Sequence, residues 1–179
     1  MEDNDIKIET DEFILRPWKE EDAKRLAVIA NNRKIVDNLR DGIPHPYSID
    51  DARQFITLAS QNYTSSKVFA IEINGEASGS IGAFIEDNVH RKTAELGYYL
   101  AEEYWGKGIM TKVLRSMAKY LFENFDLIRV YAQPFANNTG SRRALEKAGF
   151  RLEGTLKNNV IKNGVVQDDC IYAILKDEL

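Results

Sequence analysis

A glycine-flanked change from a strand pattern to a helix pattern constrains the fold most. It occupies residues 93–111, T-A-E-L-G-Y-Y-L-A-E-E-Y-W-G-K-G-I-M-T. The first part alternates at period two, with Ala94, Leu96, Tyr98 and Leu100 on one face and Glu95, Gly97 and Tyr99 on the other. Beyond Gly106 and Gly108, apolar pairs recur every four residues to about Phe125. The stretch therefore predicts a strand, a short acidic turn and a long amphipathic helix.

The start of this helix predicts an anion site. The N–H groups of a first helical turn have no partner within the helix, and the helix dipole favours a negative group there, such as a phosphate. Glycines that only shape a tight turn are the alternative. The P-loop pattern is excluded because Ile109 follows Gly108 where a Lys-Ser or Lys-Thr pair is needed. The dinucleotide pattern is excluded because Thr111 replaces its third glycine.

Length and composition favour one soluble globular domain over residues 1–179. A net charge of -4 without a sustained Lys/Arg run argues against nucleic acid as a partner. The acidic start, M-E-D-N-D-I-K, is no secretory signal, and no apolar run has the length of a membrane span. The only cysteine, Cys170, excludes an intrachain disulfide and fits a reducing compartment. We therefore expect a cytoplasmic protein that does not bind membranes. No metal site is expected, because His45 and His90 lie far apart without a Cys/His cluster.

The order of the predicted elements indicates a sheet covered by helices. The segments are a strand over 6–15 interrupted at 10–11, helices over 19–31 and 48–59, strands over 67–73 and 77–85, a strand over 127–133, a helix over 138–148, and strands over 150–161 and 165–175. Asn74-Gly75 and Asn163-Gly164 are hairpin signals. Together with residues 93–125, this order predicts an α/β (α+β) domain with a mixed central sheet of about six or seven strands.

Two separated motifs in this order resemble the GNAT superfamily of acetyl-CoA-dependent N-acetyltransferases. They are A-E-L-G-Y-Y-L-A-E-E-Y-W-G-K-G-I-M-T and N-N-T-G-S-R-R-A-L-E-K-A-G-F at 137–150. The likeness runs from F-I-L-R-P-W at 13–18 to I-Y-A-I-L-K at 171–176, and it is greatest to the RimJ/RimL-type branch, which acetylates N-terminal amines of ribosomal proteins. The superfamily's phosphate signature, Gln/Arg-x-x-Gly-x-Gly/Ala, falls on 105–110 with Gly108 at its central glycine. Trp105 and Met110 depart from it, as they do within that branch.

The resemblance implies a GNAT fold and a site for acetyl-CoA as cosubstrate. The pyrophosphate would lie on backbone amides of Gly106, Lys107, Gly108, Ile109, Met110 and Thr111. The pantetheine arm would follow the strand end at Tyr98, Tyr99 and Leu100, where one backbone N–H could polarise the thioester carbonyl. Asn138 matches the asparagine that contacts the cofactor in the second motif.

Acyl transfer to an amine needs a proton acceptor for the ammonium and a proton donor for the departing thiolate. Glu95 is the candidate base; binding a cationic substrate or pairing within the sheet is its alternative role. Ser141 matches the serine proposed as the acid in the RimJ/RimL-type branch. Its alternative role is that of a hydroxyl at the helix start that bonds backbone amides. Leu145 replaces the tyrosine that many superfamily members use. Tyr99 could line the acceptor site or simply pack as an aromatic.

Other reactive side chains are expected to be structural. Cys170 is interpreted as a buried packing residue rather than a nucleophile, and His45 as a solvated loop residue. The acidic pairs Asp168-Asp169 and Glu102-Glu103 are expected to face solvent, with amine recognition by Asp168 as an alternative.

The acceptor amine is left open by the sequence, because its expected walls, residues 19–62 and the C-terminal hairpin, carry no sharp motif. A protein N-terminal amine is the first expectation, by family analogy. A polyamine, an aminoglycoside or another small amine is the second. A non-catalytic acyl-CoA-binding module on the same fold is the alternative of a different class. Homodimers occur in the RimJ/RimL-type branch, but no interface stripe predicts one here.

Overall fold

The computed structural model describes residues 6–61 and 65–179. The acidic segment 1–5 and position 62 of the expected acceptor wall lie outside the described residues. The elements in chain order are β1 Ile8–Glu9, β2 Ile14–Arg16, α1 Ala23–Ala30, α2 Arg33–Val36, α3 Ile49–Ala59, β3 Ser66–Ile73, β4 Glu76–Ile85, β5 Thr93–Leu100, α4 Ile109–Asn124, β6 Arg129–Ala132, α5 Thr139–Ala148, β7 Arg151–Lys162 and β8 Val165–Leu175. Short 3₁₀ turns at Glu20–Asp22, Asn88–His90, Glu102–Tyr104 and Lys176–Glu178 complete the described chain.

The strands form a mixed sheet in the order β1-β2-β3-β4-β5-β6-β8-β7, which confirms the predicted fold class. Strands β5 and β6 are parallel, whereas β6 with β8 and β8 with β7 are antiparallel. The described sheet has eight strands, not six or seven, in part because residues 6–16 form two short antiparallel strands rather than one. Thr10 makes the turn between them: its hydroxyl donates to the Phe13 carbonyl at 2.8 Å and accepts from the Phe13 amide at 3.1 Å.

Contacts divide the chain into two compact units. The first contains the described residues up to Gly82 together with Tyr98–Trp105, and the second contains Ala83–Gly97 and Gly106–Leu179. Strands β4 and β5 therefore contribute residues to both units.

The first unit has a core between its helices and its strands. Trp18, Leu26, Tyr47 and Ile56 are buried together there, and the Trp18 and Phe55 rings meet edge to face at 5.6 Å. Ser48 is the N-cap residue of α3: its hydroxyl accepts from the Asp51 amide, and the Asp51 carboxylate accepts from the Ser48 amide. The Ser48 hydroxyl also donates to the Asp51 carboxylate at 2.6 Å, and this bond, followed by the one from the Ser48 amide, lowers the pKa of the Asp51 carboxyl group. The reciprocal cap fixes where α3 starts.

In the second unit, α4 buries the apolar face that the sequence predicts, and α5 buries Leu145 and Ala148. The fully buried side chains include Val113, Leu114, Met117, Leu121, Leu145, Val130 and Tyr172. Gly149 ends α5 in the left-handed region with φ of 99°, as a C-terminal glycine cap should. These contacts fix the position of both helix starts, at residues 108 and 138.

Candidate active site

The start of α4 is open and uncapped. Gly106 and Gly108 have φ values of 73° and 78°, and a Cβ atom added to either would find no atom within 4 Å. Gly108 is the N-cap residue of the sixteen-residue helix, and no side chain of the described residues caps it. The backbone at the start of this long helix is therefore uncrowded at both glycines. First-turn amides without a side-chain cap, together with a helix dipole, are the arrangement that binds an anionic group.

The residues of this loop divide by exposure. Lys107 is exposed, Met110 and Thr111 are half-buried, and Ile109 is buried in the core. Ile109 anchors the first turn, so the amides around it have a fixed direction. Met110 is only partly buried, so its side chain is not a core residue.

Trp105 holds the acidic turn against the end of β5. Its indole N–H donates to the Leu100 carbonyl at 2.7 Å. Glu103 pairs with Arg25, and Glu102 pairs with Lys34 and accepts from the Asn32 side chain at 2.8 Å. The Lys34 pair lowers the pKa of the Glu102 carboxyl group. A hydrogen bond from its own backbone amide, and after it the Arg25 pair, lowers the pKa of the Glu103 carboxyl group. The predicted solvent-facing pair is thus partly exposed, but it is tied to α1 and α2 within the first unit.

The end of β5 is packed tightly in the first unit. The Ala101 amide donates to the Ser78 carbonyl at 2.7 Å. A Cβ on Gly79 would meet the Tyr99 carbonyl oxygen far inside van der Waals contact and the Leu100 Cα at 3.1 Å. Only glycine permits this approach, so Gly79 determines where the backbone of residues 99–100 runs.

Tyr99 packs into the helical core of the first unit. It contacts the cluster around Trp18 and Tyr47. Its hydroxyl bonds to Ser80, and burial together with nearby Tyr47 raises its pKa. The packing role therefore describes this side chain, while its backbone remains part of the predicted cofactor run. Tyr98 is half-buried on the opposite face of β5.

Asn138 forms the start of α5. Its side-chain oxygen accepts from the Ser141 amide at 3.2 Å, so Asn138, and not Ser141, is the N-cap residue. Ser141 is half-buried in the first helical turn. Leu145 is fully buried one turn later. The N-cap residue of α5 is therefore Asn138, and the role of the Ser141 hydroxyl stays a prediction.

Glu95 lies on the sheet face opposite the core of the second unit. Its neighbours Ala94 and Leu96 are buried on the core face, and Glu95 itself is half-buried in register with Tyr131 of β6. The Tyr131 hydroxyl donates to Glu86 at 2.8 Å, and the Arg129 guanidinium lies 4.9 Å from the centre of the Tyr131 ring. Glu95 therefore belongs to a polar and aromatic surface rather than to the core.

Comparison with known proteins identifies the family to which this chain belongs. The family model described as "Acetyltransferase (GNAT) domain" matches residues 12–151. The chain belongs to the GNAT acetyltransferase family. Among curated GNAT relatives, the uncharacterized N-acetyltransferase YoaA of Bacillus subtilis is 30% identical and aligns over 94% of this chain and 96% of its own. The putative ribosomal N-acetyltransferase YdaF of the same organism is 32% identical over 92% and 91%. The spermidine N(1)-acetyltransferase of Escherichia coli is 27% identical over 84% and 78%.

Solved GNAT structures have the same fold. A probable acetyltransferase superposes with a TM-score of 0.87 at 29% identity, covering 97% of this chain and 99% of the other. Mycobacterium smegmatis RimJ, solved in complex with CoA-disulfide, superposes with a TM-score of 0.84 at 26% identity, covering 93% and 83%. The predicted RimJ/RimL-type branch is confirmed, and the protein is an acetyl-CoA-dependent N-acetyltransferase.

Acetyl-CoA is the family's cosubstrate, and the start of α4 fits its anionic part. The fit rests on the two positive-φ glycines and the uncapped first turn. The individual contacts, including those of Asn138, stay predictions. In the part of the chain that the structure describes, no group of three or more His, Cys, Asp and Glu side chains could hold a metal ion. Within the same residues, no helix combines the length and apolarity needed to cross a membrane.

Two acidic residues were judged together from the sequence but differ in the structure. Asp168 is half-buried and pairs with Lys157 at 2.8 Å, which lowers the pKa of its carboxyl group. Asp169 is only 2% exposed, so the prediction that it faces solvent is wrong. Its polar partners are 36 and 10 residues away in sequence, and no local pattern indicates them. Cys170 is buried as expected, and His45 is exposed in its loop.

Proposed function

We propose that this GNAT enzyme acetylates the N-terminal α-amine of a protein by direct transfer in a ternary complex. Binding of acetyl-CoA in this proposal is supported mainly by the open, uncapped start of α4 at Gly108. The choice of a protein N-terminal amine as acceptor is supported by likeness to the putative ribosomal N-acetyltransferase YdaF over most of the chain. The single cysteine supports a cytoplasmic site of action.

In this proposal, the chain holds the cofactor mainly through backbone groups. Amides of residues 106–111 donate to the pyrophosphate, and the backbone of 98–100 pairs with the pantetheine arm. The Leu100 carbonyl already accepts from the Trp105 indole, so residues 98 and 99 are the main expected partners of the pantetheine arm. The side-chain oxygen of Asn138 accepts the capping bond from the Ser141 amide, so its side-chain nitrogen is the donor toward the cofactor.

Acetyl-CoA supplies an activated acetyl thioester, and the protein supplies the proton transfers. Glu95 accepts a proton from the acceptor ammonium, directly or through water. A backbone N–H of the run 98–100 donates to the carbonyl oxygen as negative charge develops there. Ser141 donates a proton to the departing sulfur. The half-buried position of both side chains is compatible with these roles.

Thiol release from acetyl-CoA across an amine panel tests the proposal. The panel contains a short peptide with a free N-terminus, the same peptide N-acetylated, spermidine and an aminoglycoside. We expect kcat/KM for the free peptide to exceed that for spermidine by at least about tenfold, because an enzyme discriminates acceptors by how strongly it binds their transition states. The blocked peptide should be inert, because its N-terminal amine is already acetylated. CoA binding without release by any amine would favour the non-catalytic module.

A small polyamine is the second candidate acceptor. The spermidine N(1)-acetyltransferase of E. coli aligns over 84% of this chain. The polar face of the second unit carries the carboxylates of Glu86 and Glu95, and carboxylates suit a cationic acceptor. Faster release with spermidine than with the free peptide would decide for this candidate.

Two substitutions separate the proposed base from the proposed acid. Ser141→Ala should lower kcat about a hundredfold while the Kd of CoA changes little, since general acids typically contribute at least that much. Glu95→Gln should lower kcat similarly and remove the rise of rate with pH on the acidic side, because the base must be deprotonated to act. Steady-state kinetics over a pH series and calorimetric CoA binding measure both effects.

Thr139→Ala is the matched control for the serine. Thr139 is an exposed hydroxyl residue in the same first turn of α5. It should keep the wild-type rate, because its hydroxyl has no role in the proposed proton transfers. An equal loss in both variants would refute Ser141 as the acid, and an unaltered pH profile in Glu95→Gln would refute Glu95 as the base.

A further inference from the structure

A buried carboxylate of β8 links two other segments of the second unit. Asp169 of β8 is 2% exposed. The Gln133 side-chain amide donates to it at 2.6 Å, and the Asn159 side-chain amide donates at 3.1 and 3.3 Å to its two oxygens. Both donors are neutral. Burying a polar side chain costs stability unless hydrogen bonds compensate for the lost water, and these two amides supply such bonds.

The first of these segments is 133–138, which joins β6 to α5 and therefore carries Asn138. Phe135 forms an isolated antiparallel bridge with Asp169. The Cys170 amide donates to the Pro134 carbonyl, and the Ala136 amide donates to the Asp168 carbonyl, each at 2.9 Å. The side-chain bond from Gln133 extends this attachment to the first residue of the segment. The segment is thus held against β8 before it turns into the helix.

The second segment is an irregularity in β7. Three residues, 157–159, lie opposite Asp168 alone, because the register shifts between Leu156 and Val160. Asp168 accepts from Lys157 and from the Asn158 amide, and Asp169 accepts from Asn159. Adjacent carboxylates therefore hold the irregular part of β7, while Asp169 also reaches segment 133–138.

We propose that Asp169 is a positioning residue for the coenzyme A site. Through Gln133 it fixes segment 133–138, and through that segment the Asn138 cap and Ser141 at the start of α5. This inference rests on the proposed function, which assigns Asn138 and Ser141 to the cofactor and the leaving sulfur. Asp169 itself is too deeply buried to touch a substrate.

Two substitutions at Asp169 and two at its donors test the link. Asp169→Ala should raise the KM for acetyl-CoA and lower kcat, each about tenfold, because a misplacement of around 1 Å can cost about a hundredfold in rate. The KM of the amine should not change. Asp169→Asn should restore near-wild-type kinetics, because the Gln133 amide can rotate and accept from the new amide. Gln133→Leu should reproduce Asp169→Ala.

Asn159→Ala is the matched control, because it removes the other amide from the same carboxylate and leaves segment 133–138 attached. It should keep wild-type kinetics. All variants are assayed well below their melting temperatures, with CoA binding measured by calorimetry, so that a loss of folded protein is not counted. Hydrogen exchange at the Ala136 and Ser141 amides should be faster in Asp169→Ala only if the segment has loosened.

The possible failures differ from one another. Folded Asp169→Ala with wild-type CoA affinity and kcat would overturn the positioning role alone. Equal losses in Asn159→Ala and Gln133→Leu would overturn it as well, since a general packing defect would then explain both. Wild-type protein that neither binds CoA nor releases thiol would overturn the proposed function, and the positioning role with it.

Discussion

Gly79→Ala is expected to reduce kcat/KM for acetyl-CoA by about a hundredfold, on the scale of a misplaced reacting geometry. The new methyl group would meet the Tyr99 carbonyl oxygen and the Leu100 Cα, both of them backbone atoms that cannot rotate away, as well as Ile71 Cδ1 at 3.2 Å. The neighbouring bond from the Ala101 amide to the Ser78 carbonyl resists separation of the strands. The backbone of residues 99–100 must therefore shift, and this run is the predicted partner of pantetheine.

The folding cost of the same substitution should be moderate, about 1–3 kcal/mol, as for other overpacked sites. Urea unfolding gives that cost, and kinetics with CoA binding measured on folded protein gives the functional loss. Gly154→Ala is the matched control, since Gly154 also lies within a strand and an added Cβ would meet nothing within 4 Å. Wild-type kinetics in folded Gly79→Ala would show that the close approach at residues 99–100 is irrelevant to the cofactor.

Local signals predicted the parts of the fold that local chemistry determines. The alternation ending at Leu100 became β5, and the apolar repeat after Gly108 became α4, ending at Asn124. Asn74 and Gly75 have φ values of 52° and 82°, as a tight hairpin turn requires. Each of these features is encoded within a few residues, so a single sequence is enough to predict it.

Features that depend on distant partners could not be predicted in the same way. The acidic pair at 168–169 looks uniformly polar in sequence, yet Asp169 is buried because Gln133 reaches it from the connection between β6 and α5 and Asn159 reaches it from β7. Trp105 reads as a departure from the superfamily's signature, and only the structure shows its indole bound to Leu100. The two-residue strand β1 is too short to display an alternation. In each case tertiary contacts, not local patterns, decide the outcome.

Asp22→Ala is expected to destabilise the protein by about 3–5 kcal/mol, because it leaves a buried guanidinium without its main partner. Arg16 is 4% exposed and Asp22 is 6% exposed. The Arg16 nitrogens donate to both Asp22 oxygens at 2.7 and 2.9 Å, and Arg16 also pairs with Glu72 of β3. Hydrogen bonding to Asp22 is the largest contribution that raises the Arg16 pKa. A guanidinium stays protonated in proteins even without such a partner, so Asp22→Ala leaves a buried charge.

Asp22 also accepts from the Lys19 amide at 2.9 Å, so its loss additionally frees the turn that leads into α1. Equilibrium urea unfolding of both proteins measures the difference. Glu20→Ala is the control, because the Glu20–Arg53 pair lies on the surface with both side chains more than half exposed. Such exposed pairs contribute up to about 1 kcal/mol. If Asp22→Ala cost no more than Glu20→Ala, Glu72 and the Pro17 carbonyl, 3.0 Å from Arg16 Nη1, would be sufficient partners for Arg16.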